Sequence, residues 1–208
     1  MIWFTADTHF DHTNILKYED RPGHLGMDED LDPFVTTQTH NKILIEEWNY
    51  RVEPRDTIFH LGDVHLGKRR YAEDIMRQLN GHKILILGNH DRGHKAMKSL
   101  GFDEVWRWLG VEISGAWGAK SKKILLVHDP SPWLTGLAWW NYIICGHVHS
   151  KWVTKSWALN VGVDVHNFAP ISLTTINDQY FKGNGGAAQW RTIKTPSKNS
   201  EKALEEIT

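Results

Sequence analysis

An α/β fold, with a βαβ-type first half and a strand-rich second half, is predicted for this 208-residue chain. Three observations predict it. Up to about residue 100, short apolar runs alternate with helical patterns, the rhythm of parallel strands joined by crossover helices. Beyond residue 105 the helical patterns become scarce and short apolar runs follow one another. The central stretch, residues 83–91 (KILILGNHD), holds a run without polar interruption, as expected of a strand covered on both faces. That strand breaks at Gly88 and delivers Asn89, His90 and Asp91 to the sheet edge where open α/β folds bind ligands.

The elements follow in chain order. Residues 1–5 are an apolar opening run that breaks at Ala6-Asp7-Thr8-His9, a first strand delivering Asp7 and His9 to a loop. Residues 10–31 are polar and irregular, with Pro22, Gly23 and Gly26, and predict a long loop with one helical turn around residues 14–18. Loops this long inside compact domains often carry function. Asp32-Pro33 starts a helix, Asp32 as N-cap and Pro33 in the first position, and Ile43, Leu44 and Trp48 give it a face ending near Tyr50. Residues 57–61 (TIFHL) are a second strand ending in Gly62-Asp63, and residues 70–80 a second amphipathic helix with Ile75, Met76 and Leu79 inward. After the central strand, residues 93–100 form a short helix closed by Gly101. Strands are then expected over 105–108, 111–114, 124–128, 142–145, 157–161 and 171–176. From Lys182 the composition turns to Gly, Ser, Lys, Glu and Asn. The expected organisation is one domain over residues 1–181 and a polar tail over 182–208, weakly ordered or with a short helix near 202–207.

The totals exclude several classes. Apolar residues make up 40%, enough for a sizeable core. A net charge of −1 argues against bulk nucleic-acid or membrane binding and leaves only a local basic patch open. The N-terminus has no signal-peptide pattern, and no window approaches the roughly 20 apolar residues of a spanning helix. The single cysteine, Cys145, allows no internal disulfide and fits a reducing compartment, so a cytoplasmic location is expected. Lying in the apolar run YIIC, it reads as a buried small hydrophobe, not a nucleophile.

Many of the 13 histidines stand directly after apolar runs. Five places share one grammar, an apolar run followed by metal-capable side chains: Asp7-x-His9, Gly62-Asp63, Gly88-Asn89-His90-Asp91, His128-Asp129 and Gly146-His147-x-His149. In an extended segment residues i and i+2 point to the same side, so Asp7 with His9, and His147 with His149, can each aim at one centre. Glycines before Asp63, Asn89 and His147 let the backbone turn sharply. Carboxylate, imidazole and amide oxygen without thiolate suit Mn²⁺, Fe, Zn²⁺ or Ni²⁺. Seven such ligands exceed the need of one ion, and two ions sharing a carboxylate is the economical solution.

In order and spacing these motifs resemble those of the calcineurin-like metallophosphoesterases, D-x-H, G-D, G-N-H-[DE], H and G-H-x-H, across residues 2–176. The stretch NVGVDVHNFAPIS, residues 160–172, is similar to the closing part of small single-domain bacterial and phage members. The resemblance implies a four-layer α/β/β/α sandwich, two mixed sheets flanked by helices, and two divalent metal ions per chain, Mn²⁺ foremost. It implies that Asp7, His9 and His149 hold one metal, Asn89, His128 and His147 the other, with Asp63 bridging. His90 would face the substrate, Asp91 would orient it from behind, and a hydroxide shared by the metals would attack phosphorus.

Other residues are open between a site role and an ordinary one. His12 and Arg92 are candidate substrate contacts, against a surface histidine and a salt bridge. His65 could reach the mouth, whereas His60 is expected to be structural. Lys68, Arg69 and Arg70 are either a solvated face or a track for a phosphodiester backbone. Asp129-Pro130 stands where relatives often have Tyr or Thr, so substrate contacts should differ there. Trp133, Trp139 and Trp140 either stack a nucleobase or pack on the sheet. The expected activity is hydrolysis of a phosphomonoester or phosphodiester, on a small or nucleotide-like substrate, since no appended domain for a protein substrate is visible. A nuclease or protein phosphatase of the same family, and a non-catalytic scaffold, are the alternatives.

Overall fold

The computed structural model describes residues 1–27, 32–114, 121–133, 139–180 and 189–192. Four parallel strands build the first sheet: β1 (Ile2–Thr5), β2 (Thr57–His60), β3 (His82–Ile86) and β4 (Glu104–Trp106), in that spatial order. A short antiparallel strand, β10 (Ile171–Ser172), closes the β1 edge. The register is regular, with Phe4 beside Phe59 and Phe59 beside Ile84. The second sheet is mixed, in the order β11-β5-β6-β7-β9-β8, from β5 (Leu109–Ser114), β6 (Lys122–Leu126), β7 (Tyr142–Cys145), β8 (Thr154–Lys155), β9 (Ala158–Asn160) and β11 (Gln189–Thr192). Within it β6, β7 and β9 are parallel neighbours.

The sheets pack face to face. Phe4, Phe59, Leu61, Ile84 and Ile86 from one, and Val111, Ile113, Ile124, Leu126, Ile144 and Leu159 from the other, form one buried cluster. The opposite face of the first sheet, Ile58, Leu85 and Val105, is covered by α3 (Pro33–Arg51), α4 (Arg69–Gln78) and α5 (His94–Leu100), through Leu44, Trp48, Ile75, Met76 and Met97. Burial on both faces explains why these strands read as unbroken apolar runs. Leu125, Val127, Ile143 and Cys145 on the outer face of the second sheet lie under Trp108, Trp133, Trp140, Trp152 and Trp157. This is the layered fold of two mixed sheets that was expected. Trp133 and Trp140 are wall, whereas Trp139 is exposed. Asp32 caps α3 as predicted, accepting from the amides of Phe34 and Val35.

Three expectations are corrected. Residues 171–176 are not one strand: β10 ends at Ser172, whose hydroxyl accepts from the Thr175 amide and starts α6 (Leu173–Tyr180). Buried Leu173 and Ile176 occupy the same apolar cluster that a strand would have filled, so the apolar pattern alone does not separate the two. Residues 189–192 of the polar stretch form β11, which pairs antiparallel with β5. Without β11 that edge of β5 would present unpaired amides and carbonyls, and Trp and Thr are strand-favouring types. The loop after β1 contains two helices, α1 (Thr13–Tyr18) and the four-residue α2 (Arg21–His24), where one turn was expected. Residues 202–207 lie outside the described residues.

Candidate metal centre

Strands β1, β2 and β3 of the first sheet and β6 and β7 of the second end at one edge. Their loops deliver Asp7 and His9, Asp63, Asn89 and His90, His128, and His147 and His149 to one place. Backbone pairing continues past the strands: the amides of Asp7, His9 and Phe10 donate to the carbonyls of Gly62, Asp63 and Val64 at 3.0, 3.0 and 2.9 Å. The sheets are stitched together here. The His147 amide donates to both carboxylate oxygens of Asp7, at 3.0 and 3.1 Å, and His128 Nδ1 donates to the Leu61 carbonyl at 2.7 Å.

The convergence of each Asp-x-His and His-x-His pair does not come from extended chain. Asp7, His9, Asp63, His147 and His149 have φ of +56°, +48°, +59°, +72° and +46°. For an L-residue the left-handed region costs about 1 kcal/mol or more. Two such residues flanking an ordinary one turn both side chains onto the centre. Gly62 does supply a turn, with φ +91°. Gly88 supplies room instead: a Cβ there would lie 2.2 Å from Asp63 Oδ1.

The donor atoms form two groups. Asp7, His9 and His149 each offer one atom, all within 4.8 Å of one another, and Asp7, Asp63 and His128 do the same. Asn89 Oδ1 lies 3.0 Å from His128 Nε2 and 3.1 Å from His147 Nδ1, which are 3.3 Å apart. Asp63 Oδ2 stands between, 3.6 Å from His9 Nε2 and 3.3 Å from His128 Nε2. Burial and the neighbouring carboxylates set the charges of the cluster. Burial raises Asp7 to about 6 against the pull of His128 and His149. Burial also works against the His128 imidazolium, but Asp63 and Asp7 outweigh it and raise it to about 9. Burial lowers His9 to about 2 although Asp63 opposes it. Both His9 ring nitrogens are buried and hydrogen-bonded to nothing among the described residues. Left so, each costs about 1–3 kcal/mol, and a divalent cation is the partner that this oxygen–nitrogen donor set fits.

A family model of the calcineurin-like phosphoesterases matches residues 1–166. The chain belongs to that family. A protein of Methanocaldococcus jannaschii described as uncharacterized is 33% identical over 191 residues, 88% of this chain and 92% of that one. The gene 66 protein of Mycobacterium phage D29 is 38% identical over 96 residues, 45% of this chain and 41% of that one. The solved structure of AQ665 from Aquifex aeolicus, a protein of unknown function, shares the fold, with a TM-score of 0.61, 26% identity, and coverage of 86% of this chain and 98% of that one.

All seven predicted metal-capable side chains of this phosphoesterase domain meet at the centre. His90 stands at its rim, 48% exposed, its Nε2 4.0 Å from Asp63 Oδ2. Its ring forms no hydrogen bond among the described residues, and its amide donates to Asp63 Oδ1 at 3.0 Å. Asp91 does not orient the His90 ring. The chain folds back after Gly88, and the Asp91 carboxylate accepts from the amides of Gly88, Asp63 and Val64 at 2.8, 3.0 and 3.0 Å. It is a staple between two site loops. Asp91→Ala leaves those donors unpaired and is expected to cost on the order of 2–3 kcal/mol in denaturant unfolding. An unchanged midpoint would mean that the amides find water instead.

Half-buried His12 has its ring 5.3 Å from that of His9. Exposed Arg92 has no ion pair among the described residues and lies near His65, on which its charge acts. Arg69 is tied to Glu73 and Ser99, and the Arg70 guanidinium to Tyr71. His60 is structural: it bonds Thr8 Oγ1 at 2.9 Å, stacks on Trp48, and burial lowers it to about 3. Asp129 accepts from the Ser131 amide and stays 4.0 Å from His147 Nε2.

Three site-supporting residues were missed. Arg21 and Asp164 are 143 positions apart and form a buried pair behind His149. Asn160 donates to the carbonyls of His149 and Trp152 and accepts from the Gly162 amide. The only trace in the sequence is the segment 160–172, whose Asn, Gly and Asp follow a strand as the ligand-bearing loops do.

Proposed function

We propose that this protein is a hydrolase of phosphoester bonds with two divalent cations at the carboxyl edge of its sheets. Asp7, His9 and His149 would hold one, Asn89, His128 and His147 the other, and Asp63 would lie between them. The observation that carries this reading is His9, buried, neutral and without a hydrogen-bond partner among the described residues, in a ring of ligand atoms. When bound, such a pair of ions lowers the pKa of a water between them and neutralises phosphoryl oxygens. The residues of this chain do the rest. His90, with its ring open to solvent, is placed to donate to a phosphoryl oxygen or to the leaving oxygen. Arg92, exposed and without an ion pair among the described residues, can pair two phosphate oxygens in bidentate fashion, and His12 lines the side next to His9. A small phosphodiester or nucleotide-like substrate fits this set, because the Arg92 guanidinium and the His12 and His90 imidazoles together suit a single phosphate group. The free, buried thiol of Cys145 agrees with a cytoplasmic location, and among the described residues no helix is long and apolar enough to cross a membrane.

The test is a panel of p-nitrophenyl phosphate, bis(p-nitrophenyl) phosphate, 2′,3′-cyclic nucleotides, single-stranded DNA and a phosphopeptide, each with Mn²⁺, Zn²⁺, Ni²⁺ or Mg²⁺. Turnover of small diesters, abolished by chelator and restored by Mn²⁺ or Ni²⁺ but not Mg²⁺, is expected. Preference for DNA or the phosphopeptide would make it a nuclease or a protein phosphatase. No turnover on any substrate would leave a scaffold.

A further inference from the structure

The strained loop that carries Asp7 and His9 is held from behind by one side chain. Arg21, fully buried at the start of α2, uses every N–H of its guanidinium. Nε donates to Asp164 Oδ1 at 2.7 Å and Nη2 to Asp164 Oδ2 at 2.9 Å, a bidentate pair. Nη2 also donates to the Asp7 carbonyl at 2.7 Å, and Nη1 to the Thr8 carbonyl at 3.0 Å and to His40 Nε2 at 3.1 Å. The two carbonyls belong to the turn in which Asp7 and His9 are left-handed. Backbone strain of that kind persists only where surrounding contacts over-determine it.

Asp164 carries the second half of the arrangement. Its Oδ2 accepts from His149 Nδ1 at 2.8 Å, which puts the ring proton on Nδ1 and leaves the lone pair of Nε2 free for a cation at the group that His149 forms with Asp7 and His9. The Arg21–Asp164 pair is neutral as a unit, so a buried guanidinium sits behind a cation site without adding net repulsion. The group formed by Asn89, His128 and His147 is held less firmly. His128 is fixed through the Leu61 carbonyl, but His147 is 39% exposed and the nearest carboxylate to its Nε2, that of Asp129, is 4.0 Å away.

We infer that Arg21 and Asp164 are positioning residues that pre-form the metal position of Asp7, His9 and His149, so that this position fills first and more tightly than that of Asn89, His128 and His147. The inference rests on the two-cation reading above, and one titration separates the two. Mn²⁺ binding to the full chain, stripped by chelator, is followed by calorimetry and by the electron paramagnetic resonance of free Mn²⁺, with folding checked by circular dichroism. The unmodified protein should bind two ions in two phases at least about tenfold apart. Asp164→Asn, which keeps the shape, and the charge-balanced pair Arg21→Gln with Asp164→Asn should weaken the tight phase about 10–100-fold and the other phase far less. A control substitution, Asp129→Asn, should leave the tight phase unchanged. Two ions bound by the unmodified protein with both phases unmoved, or moved equally, in the Arg21 and Asp164 variants would overturn the inference and leave the two-cation reading standing. Fewer than two ions bound by the unmodified protein would overturn both.

Discussion

Replacing His90 with alanine is expected to lower kcat by a factor of about 10²–10³ while the protein still takes up two divalent ions. The reason is the division of labour in the loop after β3. Asn89 turns its oxygen into the cluster, within 3.1 Å of both His128 and His147, and His90 turns its ring outward. The ring gives nothing to the ligand atoms: its centroid is 5.8 Å from that of His9 and its Nε2 4.0 Å from Asp63. What ties residue 90 to the centre is its backbone amide on Asp63 Oδ1, and alanine keeps that bond. A loss confined to turnover therefore separates a residue that meets the substrate from one that holds the ions. The choice of substrate separates its two roles. Protonation of the leaving oxygen matters for an alkoxide and little for p-nitrophenolate, so an acid role predicts a larger deficit on alkyl or nucleoside diesters. An equal deficit on both would point to stabilisation of charge on phosphorus. Metal content that falls in step with kcat would remove the distinction and the assignment with it.

How much of this centre can be read from sequence depends on the range over which each interaction acts. Asn89 and His128, or Asp7 and His147, are far apart in the chain. Each nevertheless follows an apolar run, and parallel strands bring their carboxyl ends together whatever lies between them. Side-chain chemistry at strand ends is thus legible, and all seven predicted ligand types meet. The local backbone is not. Asp7 and His9 converge through left-handed turns that their residue types only permit, and strand alternation gives the right pair for the wrong reason. Asp91 shows the same limit. Its place behind His90 suggests a partner for the ring, but a carboxylate in a turn that folds back on Gly88 finds three amides closer than the imidazole. Arg21 lies in a stretch that reads as irregular loop, and nothing in its neighbourhood signals a carboxylate 143 residues on. The second-sheet edge fails for another reason. Whether a short polar segment such as residues 189–192 becomes a strand is decided by the open edge it meets, not by its own pattern.

Asp63→Asn is expected to release both ions together and to take activity to the background of the assay, a loss of at least about 10³-fold if the ions supply most of the rate enhancement. Asp63 stands between the His9 side and the His128 side of the cluster. Its Oδ2 is 3.6 Å from His9 Nε2 on one side and 3.3 Å from His128 Nε2 on the other, and its Oδ1 is held by the His90 amide at 3.0 Å. Burial would raise this carboxyl, but the His128 contact and the His90 amide hold it well below the usual carboxylate range, so it presents a full charge to the centre. Asparagine keeps the size and one oxygen. That oxygen can keep the His90 amide, which leaves the amide nitrogen directed at His9 and His128 as a donor where an acceptor stood. Two cations within one shell repel each other, and only an anion between them offsets that repulsion. The single substitution should therefore act on both ions at once, whereas Asn89→Ala, outside the shared position, should act on one. Metal analysis of the two variants after exhaustive dialysis distinguishes the cases. Two ions retained by Asp63→Asn would refute the bridge, and one ion retained would move Asp63 to a single site.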